Sequence, residues 1–68
     1  MKLSEYIKEF RISRNLTQVE FAKQADLTQT QISLLESDNL SVGYLLVKKL
    51  SRAMNISVEK VREMLDEK

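Results

Sequence analysis

Apolar residues recur along this chain at intervals of three and four, the spacing that places them on one side of a helix. Five separate groups show this spacing, and short polar stretches divide them. The groups begin at Leu3, Phe21, Ile32, Leu46 and Val58. Only one glycine and no proline interrupt the 68 residues. The pattern predicts one all-α domain over residues 1–68, with five helices packed over about 3–65 and a short charged C-terminal tail.

Two of the predicted helices begin with a capping box, in which the side chains of two residues three apart satisfy each other's backbone N–H groups. Thr17 with Glu20 forms the first pair, and Thr28 with Gln31 forms the second. We expect the second helix to begin at Thr17 and the third at Thr28, with a tight turn at 26–27 between them.

Other boundaries are marked by single residues. Ser4 could cap the first helix and Ser57 the last. Residues Ser37, Asp38 and Asn39 should close the third helix, because Asp and Asn tolerate the left-handed conformation that is usual past a helix end.

Two short helices joined by a turn suggest a helix-turn-helix. In this motif the N-terminal residues of the second helix approach base edges in the major groove. Gln29, Thr30, Gln31 and Ser33 suit that position, because glutamine can pair bidentately with adenine and threonine can contact a thymine methyl. The free N–H groups at the helix start could also bind a phosphate. The alternative is that these residues form an ordinary solvated face.

Composition limits the chemistry. Lys and Arg number 11 against 10 Asp and Glu, so a net charge of +1 argues only weakly for a nucleic-acid partner. Cysteine and histidine are absent, which removes thiol chemistry, His-based catalysis and the common zinc sites. We expect no enzyme activity, no cofactor, no metal and no small-molecule substrate. No apolar run is long enough to span a bilayer, so we expect a cytoplasmic protein without a membrane partner.

The runs Leu16–Ala22 and Leu27–Glu36 resemble the Xre/Cro-type repressor domain of the lambdoid phage kind. The resemblance covers about residues 3–65. It implies a compact, five-helix, lambda-repressor-like fold in which the second and third helices form the helix-turn-helix. It also implies that Arg11 and Glu36 pair inside the fold as a structural ion pair.

The resemblance also implies DNA contacts, with Gln18 as a phosphate-binding glutamine. The expected base contacts are Gln29, Thr30, Ser33 and Leu34. The expected phosphate contacts are Thr17, Gln18, Lys23, Thr28, Gln31 and Asn39. Lys48, Lys49 and Arg52 could add a phosphate patch, although such residues more often form a solvated helix face.

The function implied is sequence-specific binding of double-stranded DNA by a prokaryotic or phage transcriptional regulator, as a homodimer on a palindromic operator. The apolar group near Tyr44 is too broad for one buried stripe. Leu40, Tyr44 and Leu45 are therefore candidates for a dimer surface at the fourth and fifth helices, unless one of them completes the core.

Two alternatives remain open. The first is a protein-interaction module on the same fold, such as an antitoxin, an antirepressor or an oligomerisation adaptor. The acidic loop at Asp38 and the apolar Leu34 among the groove-facing residues favour it. The second is that the chain is the DNA-binding part of a longer regulator.

Overall fold

The computed structural model describes residues 1–67, and its regular structure over that range is entirely helical. The helices are α1 (Leu3–Ser13), α2 (Gln18–Ala25), α3 (Gln29–Glu36), α4 (Tyr44–Met54) and α5 (Val58–Leu65). These bounds confirm the predicted all-α, five-helix fold, with α2 and α3 as the helix-turn-helix. None of the helices in residues 1–67 is both long and apolar enough to cross a bilayer.

Each helix contributes one completely buried side chain to a single core. These residues are Ile7, Phe21, Ile32, Leu50 and Val61. Burying a side chain of this size stabilises a fold by roughly 1.5–3 kcal/mol. Since every helix has such an anchor, α2 and α3 are held in place by the whole domain as well as by each other.

Four helix ends use Asn or Asp in the left-handed conformation. The residues are Asn15, Asp26, Asp38 and Asn55, with φ between 54° and 62°. At each end the next N–H reaches back to a carbonyl of the last helical turn, as Leu27 N–H does to the Ala22 carbonyl oxygen at 2.9 Å. This bonding is the Schellman pattern that glycine more often supports. The predicted stop at the end of α3 is confirmed by Asp38.

The start of α1 differs from the prediction. Ser4 is buried inside the first turn, and the helix begins directly after Lys2. The Lys2 backbone N–H donates to Glu5 Oε1 at 3.3 Å, so this N–H group at the start of the helix has a hydrogen-bond partner. The prediction for Ser4 was wrong because Leu3 is buried with Ile7, so the helix must already include Leu3. The Ser57 cap is confirmed, since Ser57 Oγ accepts from Lys60 N–H at 3.0 Å.

The connection between α3 and α4 packs on the core. Leu40 and Val42 are both partly buried against it. Leu40 therefore packs in part on the core, and its place in a dimer surface stays a prediction. Tyr44 and Leu45, at the start of α4, remain 68% and 65% exposed.

Candidate nucleic-acid interface

Capping boxes fix the start of both helices of the helix-turn-helix. Thr17 Oγ1 accepts from Glu20 N–H at 3.1 Å, and Thr17 N–H donates to Glu20 Oε1 at 2.8 Å. At α3, Thr28 Oγ1 accepts from Gln31 N–H at 3.1 Å, and Thr28 N–H donates to Gln31 Oε1 at 2.9 Å. The predicted boxes are confirmed. They make Gln18 and Gln29 the first residues of their helices.

Those two glutamines are hydrogen-bonded to each other. Gln29 Nε2 donates to Gln18 Oε1 at 2.8 Å, and Gln18 Nε2 donates to Glu36 Oε1 at 3.3 Å. Because an ionised carboxylate can only accept, Glu36 requires the amide NH₂ of Gln18 on its side. The Gln18 oxygen is then left for Gln29. The carboxylate of Glu36 thus fixes the orientation of the amide that contacts α3.

Glu36 is in turn held by Arg11. Arg11 Nε lies 2.7 Å from Glu36 Oε2, and Arg11 Nη2 lies 3.1 Å from Glu36 Oε1. A third donor, Arg11 Nη1, bonds the Leu16 carbonyl oxygen at 2.8 Å. The two side chains are only 15% and 6% exposed. Hydrogen bonding to Glu36 raises the pKa of Arg11 above its usual value, so the guanidinium stays charged.

The four expected base-contacting residues share one side of α3. Ile32 and Leu35 point into the core, and the opposite side carries the four. Gln29 and Thr30 are exposed, whereas Ser33 and Leu34 are half-buried. The start of this surface is therefore polar and open, and Leu34 adds a partly covered apolar group about one turn further on.

The expected phosphate contacts are more scattered. Thr17, Thr28 and Gln31 take part in the caps, and Lys23 is exposed in the last turn of α2. Asn39 lies beyond the far end of α3 from Gln29, where Asn39 Nδ2 donates to Ser37 Oγ at 3.1 Å. Thr17 and Thr28 directly precede the two linked glutamines, whereas Asn39 lies apart from them.

The surface around the glutamines carries little positive charge. Between residues 15 and 47 the sequence has one basic residue, Lys23, and four acidic ones, Glu20, Asp26, Glu36 and Asp38. Three of the acids have a cation close by: Glu36 has Arg11, Asp26 has Lys49 at 3.4 Å, and Asp38 has Lys2 at 3.8 Å. The groups that α2 and α3 themselves offer to a ligand are therefore mainly neutral donors and helix N-termini.

Two features were missed by the sequence argument. Glu36 was assigned to the ion pair alone, yet it also accepts from Gln18. Lys49 was considered for a phosphate patch, but Lys49 Nζ donates to the Asp26 carbonyl oxygen at 2.9 Å and so joins α4 to the turn between α2 and α3. No sequence signal identifies these contacts, because the partners lie 18 and 23 residues apart.

Comparison with known families supplies independent evidence. The sequence model of the helix-turn-helix family matches residues 7–61, which include all of α2, α3 and α4. No curated protein matches the chain. Within residues 1–67, no group of three or more His, Cys, Asp or Glu side chains is arranged to hold a metal ion.

Proposed function

The chain belongs to the helix-turn-helix family, and on this premise we propose that it is an Xre-like transcriptional regulator that binds double-stranded DNA sequence-specifically. In this proposal the N-terminal part of α3 enters the major groove. Gln29, Thr30, Ser33 and Leu34 approach the base edges. Gln18 and its neighbours at the start of α2 contact the sugar-phosphate backbone.

The observation that carries the proposal is the hydrogen bond between Gln18 and Gln29. It uses one N–H of Gln29 and leaves a second N–H and the amide oxygen free. A free amide donor beside a free acceptor matches the N7 and N6 edge of adenine. Gln18 likewise keeps one N–H that could donate to a phosphate oxygen. Because both side chains are already ordered, binding loses less conformational entropy than it would with two mobile glutamines.

The charge around this site predicts an unusual salt response. Each phosphate neutralised by Lys or Arg releases counterions and steepens the fall of affinity with salt. Here Lys23 is the one basic residue within the two helices, and amides, hydroxyls and backbone N–H groups supply the other donors that the helices offer. We expect a shallow slope, with sequence preference carried by α3.

One such module contacts only one half-site, since α3 has eight residues and is about 12 Å long. We propose that two copies occupy a palindromic operator, one helical turn between half-site centres, and that occupancy itself represses transcription. The α4–α5 side, with its exposed Tyr44 and Leu45, supports this arrangement.

The test is selection from a random duplex pool followed by fluorescence anisotropy on the enriched sequence. Gln29→Ala should weaken binding to the enriched site by about 10-fold, the usual cost of one lost base contact. Gln24→Ala is the matched control, because Gln24 is also an exposed glutamine of the motif but lies at the end of α2 away from Gln29. Enrichment of no sequence, or equal affinity of both variants, would contradict the proposal.

A second candidate function is a protein-interaction module on the same fold. The specific observation in its favour is Leu34, an apolar and only half-buried residue on the outward side of α3. Under this alternative Leu34→Ser would abolish partner binding while Gln29→Ala would not. Under the DNA proposal Gln29→Ala has the larger effect.

A further inference from the structure

We propose that the cavity between the end of α2 and α4 binds a small organic phosphate, a phosphate monoester with an apolar body. The inference goes beyond DNA binding, because it assigns a second ligand to a surface that the proposed function does not use. It is carried by the size of the cavity, by the charges that line it and by the apolar side chain beside them.

The cavity opens where the last turn of α2 lies beside α4, and it has a volume of about 410 Å³. Small-molecule sites commonly enclose about 300–1,000 Å³. Gln24, Ala25 and Asp26 line one side of it. The other side is lined by Leu45, Lys48, Lys49 and Arg52. These four residues recur at intervals of three and four, so they share one face of α4. Two packed helices thus bound a space of ligand size.

The charges that line the cavity do not cancel. Three lining residues are cations, Lys48, Lys49 and Arg52, and one is a carboxylate, Asp26. Lys49 and Asp26 are already joined, since Lys49 Nζ lies 3.4 Å from Asp26 Oδ2 and donates to the Asp26 carbonyl oxygen at 2.9 Å. Within residues 1–67, neither Lys48 nor Arg52 has a carboxylate within salt-bridge distance. Two positive charges therefore remain for a ligand, which matches the nearly dianionic charge of a phosphate monoester at pH 7.

The two remaining cations are held on neighbouring turns of one helix, four residues apart. Lys48 is half-buried, and its Nζ lies 5.4 Å from the centre of the Tyr44 ring. A contact of this kind restrains the ammonium group without neutralising it. Arg52 is exposed in the last turn of α4, and its planar guanidinium can donate to two phosphate oxygens at once. Across the cavity, the exposed amide of Gln24 could donate to the third phosphate oxygen.

An apolar side chain beside the cations favours an organic phosphate over the inorganic ion. Leu45 lines the cavity, yet it is 65% exposed. It precedes Lys48 by three residues, so the two side chains are neighbours on the face of α4. A ring attached to the phosphate would cover Leu45 while the phosphate meets Lys48 and Arg52. Since burial of apolar area stabilises a complex in proportion to that area, the ring adds affinity that inorganic phosphate lacks.

The experiment is an NMR titration of the full chain with phenyl phosphate at constant ionic strength, in which the shifts of the backbone amides are followed. Inorganic phosphate carries the charge alone, and benzyl alcohol carries the ring alone. We expect a dissociation constant on the order of 1 mM for phenyl phosphate. Its largest shifts should fall in residues 24–26 and 45–52. Each of the two simpler probes should bind about 10-fold more weakly.

Two double variants separate a specific site from general attraction of anions. Lys48→Gln with Arg52→Gln should weaken phenyl phosphate binding by about 10-fold, because both free cations are removed. Lys8→Gln with Lys60→Gln is the matched control, since it removes the same charge from exposed positions outside the cavity lining. The control should change the affinity by less than about 2-fold, because salt screens distant surface charges. Circular dichroism establishes that both variants are folded.

Three results would overturn the inference. The first is equal weakening in the two double variants, and the second is equal affinity for phenyl phosphate and inorganic phosphate. The third is a set of largest shifts that lies outside residues 24–26 and 45–52. Any of these would mean that the cavity does not select an organic phosphate.

DNA binding is scored separately, by anisotropy on the enriched duplex. If Lys48→Gln with Arg52→Gln weakens duplex binding as much as phenyl phosphate binding, the cavity belongs to the DNA interface and the inference is overturned. A chain that binds phenyl phosphate but no duplex would refute the proposed function and leave the inference standing. A chain that binds the duplex but not phenyl phosphate would refute the inference alone.

Discussion

The helix pairs α2–α3 and α4–α5 are joined by the same kind of turn, but they present surfaces of different chemistry. In each pair a left-handed Asp or Asn ends the first helix, an apolar residue follows, and a hydroxyl residue caps the second helix. The turn segments are Asp26–Thr28 and Asn55–Ser57. After the turn, α3 continues with Gln29, Thr30 and Gln31, whereas α5 continues with Val58, Glu59 and Lys60.

The difference shows that one turn geometry can present surfaces of different chemistry. Function depends on the side chains that a fold presents. Around α3 the polar groups are connected to each other, from Arg11 through Glu36 and Gln18 to Gln29. Along α5 the charged groups are exposed and separate. The first surface is ordered by hydrogen bonds between side chains, whereas within residues 1–67 no such network forms along α5.

The largest expected effect comes from breaking the polar network at Glu36. Glu36→Ala leaves Arg11 as a largely buried charge without its partner, and we expect a loss of about 3 kcal/mol in the free energy of unfolding, measured by urea denaturation. Glu63→Ala on α5 is the matched control and should change stability by less than about 0.5 kcal/mol, because that carboxylate is exposed. Similar losses for both variants would contradict the contrast between the two pairs.

The N-caps of α3 and α5 should contribute equally to the stability of the fold, but only the α3 cap should affect DNA binding. Thr28→Ala and Ser57→Ala each remove a side-chain oxygen that accepts a backbone N–H, at a cost of about 1 kcal/mol. Thermal unfolding should therefore shift to a similar extent in both. DNA affinity, corrected for the folded fraction, should fall only for Thr28→Ala. Loss of affinity in both would mean that α5 also contributes to the DNA interface.

A smaller change is expected at the start of α4, which has no side-chain cap. Gly43 is the N-cap there, with φ −85° and ψ 179°, a conformation open to any residue. A Cβ added at Gly43 would meet no atom within 4 Å. Gly43→Ser should supply the missing acceptor and raise the free energy of unfolding by a few tenths of a kcal/mol, roughly the usual difference between serine and glycine as N-caps. A loss of stability would show that the glycine is needed for another reason.

The smallest effect should be a pH dependence that distinguishes the caps of α2 and α3. Hydrogen bonds from the Thr17 backbone and side chain lower the pKa of Glu20 below its ordinary 4.5. The capping contribution of Glu20 is therefore complete above that value and is lost as pH falls through the lowered one. The hydrogen-exchange protection factors near the start of α2, which correct for the slower intrinsic exchange in acid, should therefore fall as pH is lowered. The α3 box uses Gln31, which does not titrate, and Glu20→Gln should remove the difference.

The helices could be predicted from the sequence because their limits are set locally. Thr17, Thr28 and Ser57 each cap a helix through a bond to a residue three positions away, which a sequence pattern reveals directly. The start of α1 was misplaced because the side chain that accepts the backbone N–H there is Glu5, not a hydroxyl residue. Local rules recognise only the commonest capping residues.

The interface could be predicted only in part. The resemblance to a repressor domain led to the pairing of Arg11 with Glu36 and to the glutamines as separate candidates. The bond between Gln18 and Glu36 and the contact of Lys49 with Asp26 depend on how helices pack. The partial burial of Leu40 could not be predicted either, because the path of the α3–α4 connection depends on how the whole core packs.

The four left-handed helix ends also have a kinetic consequence. Each stop is formed by residues within a few positions of one another, so a helix of the correct length can form before the core exists. Chains whose structure depends mainly on local contacts cross a low entropic barrier and fold in microseconds to milliseconds. Rapid refolding of this kind would shorten the time for which an unfolded chain exposes its apolar residues to aggregation.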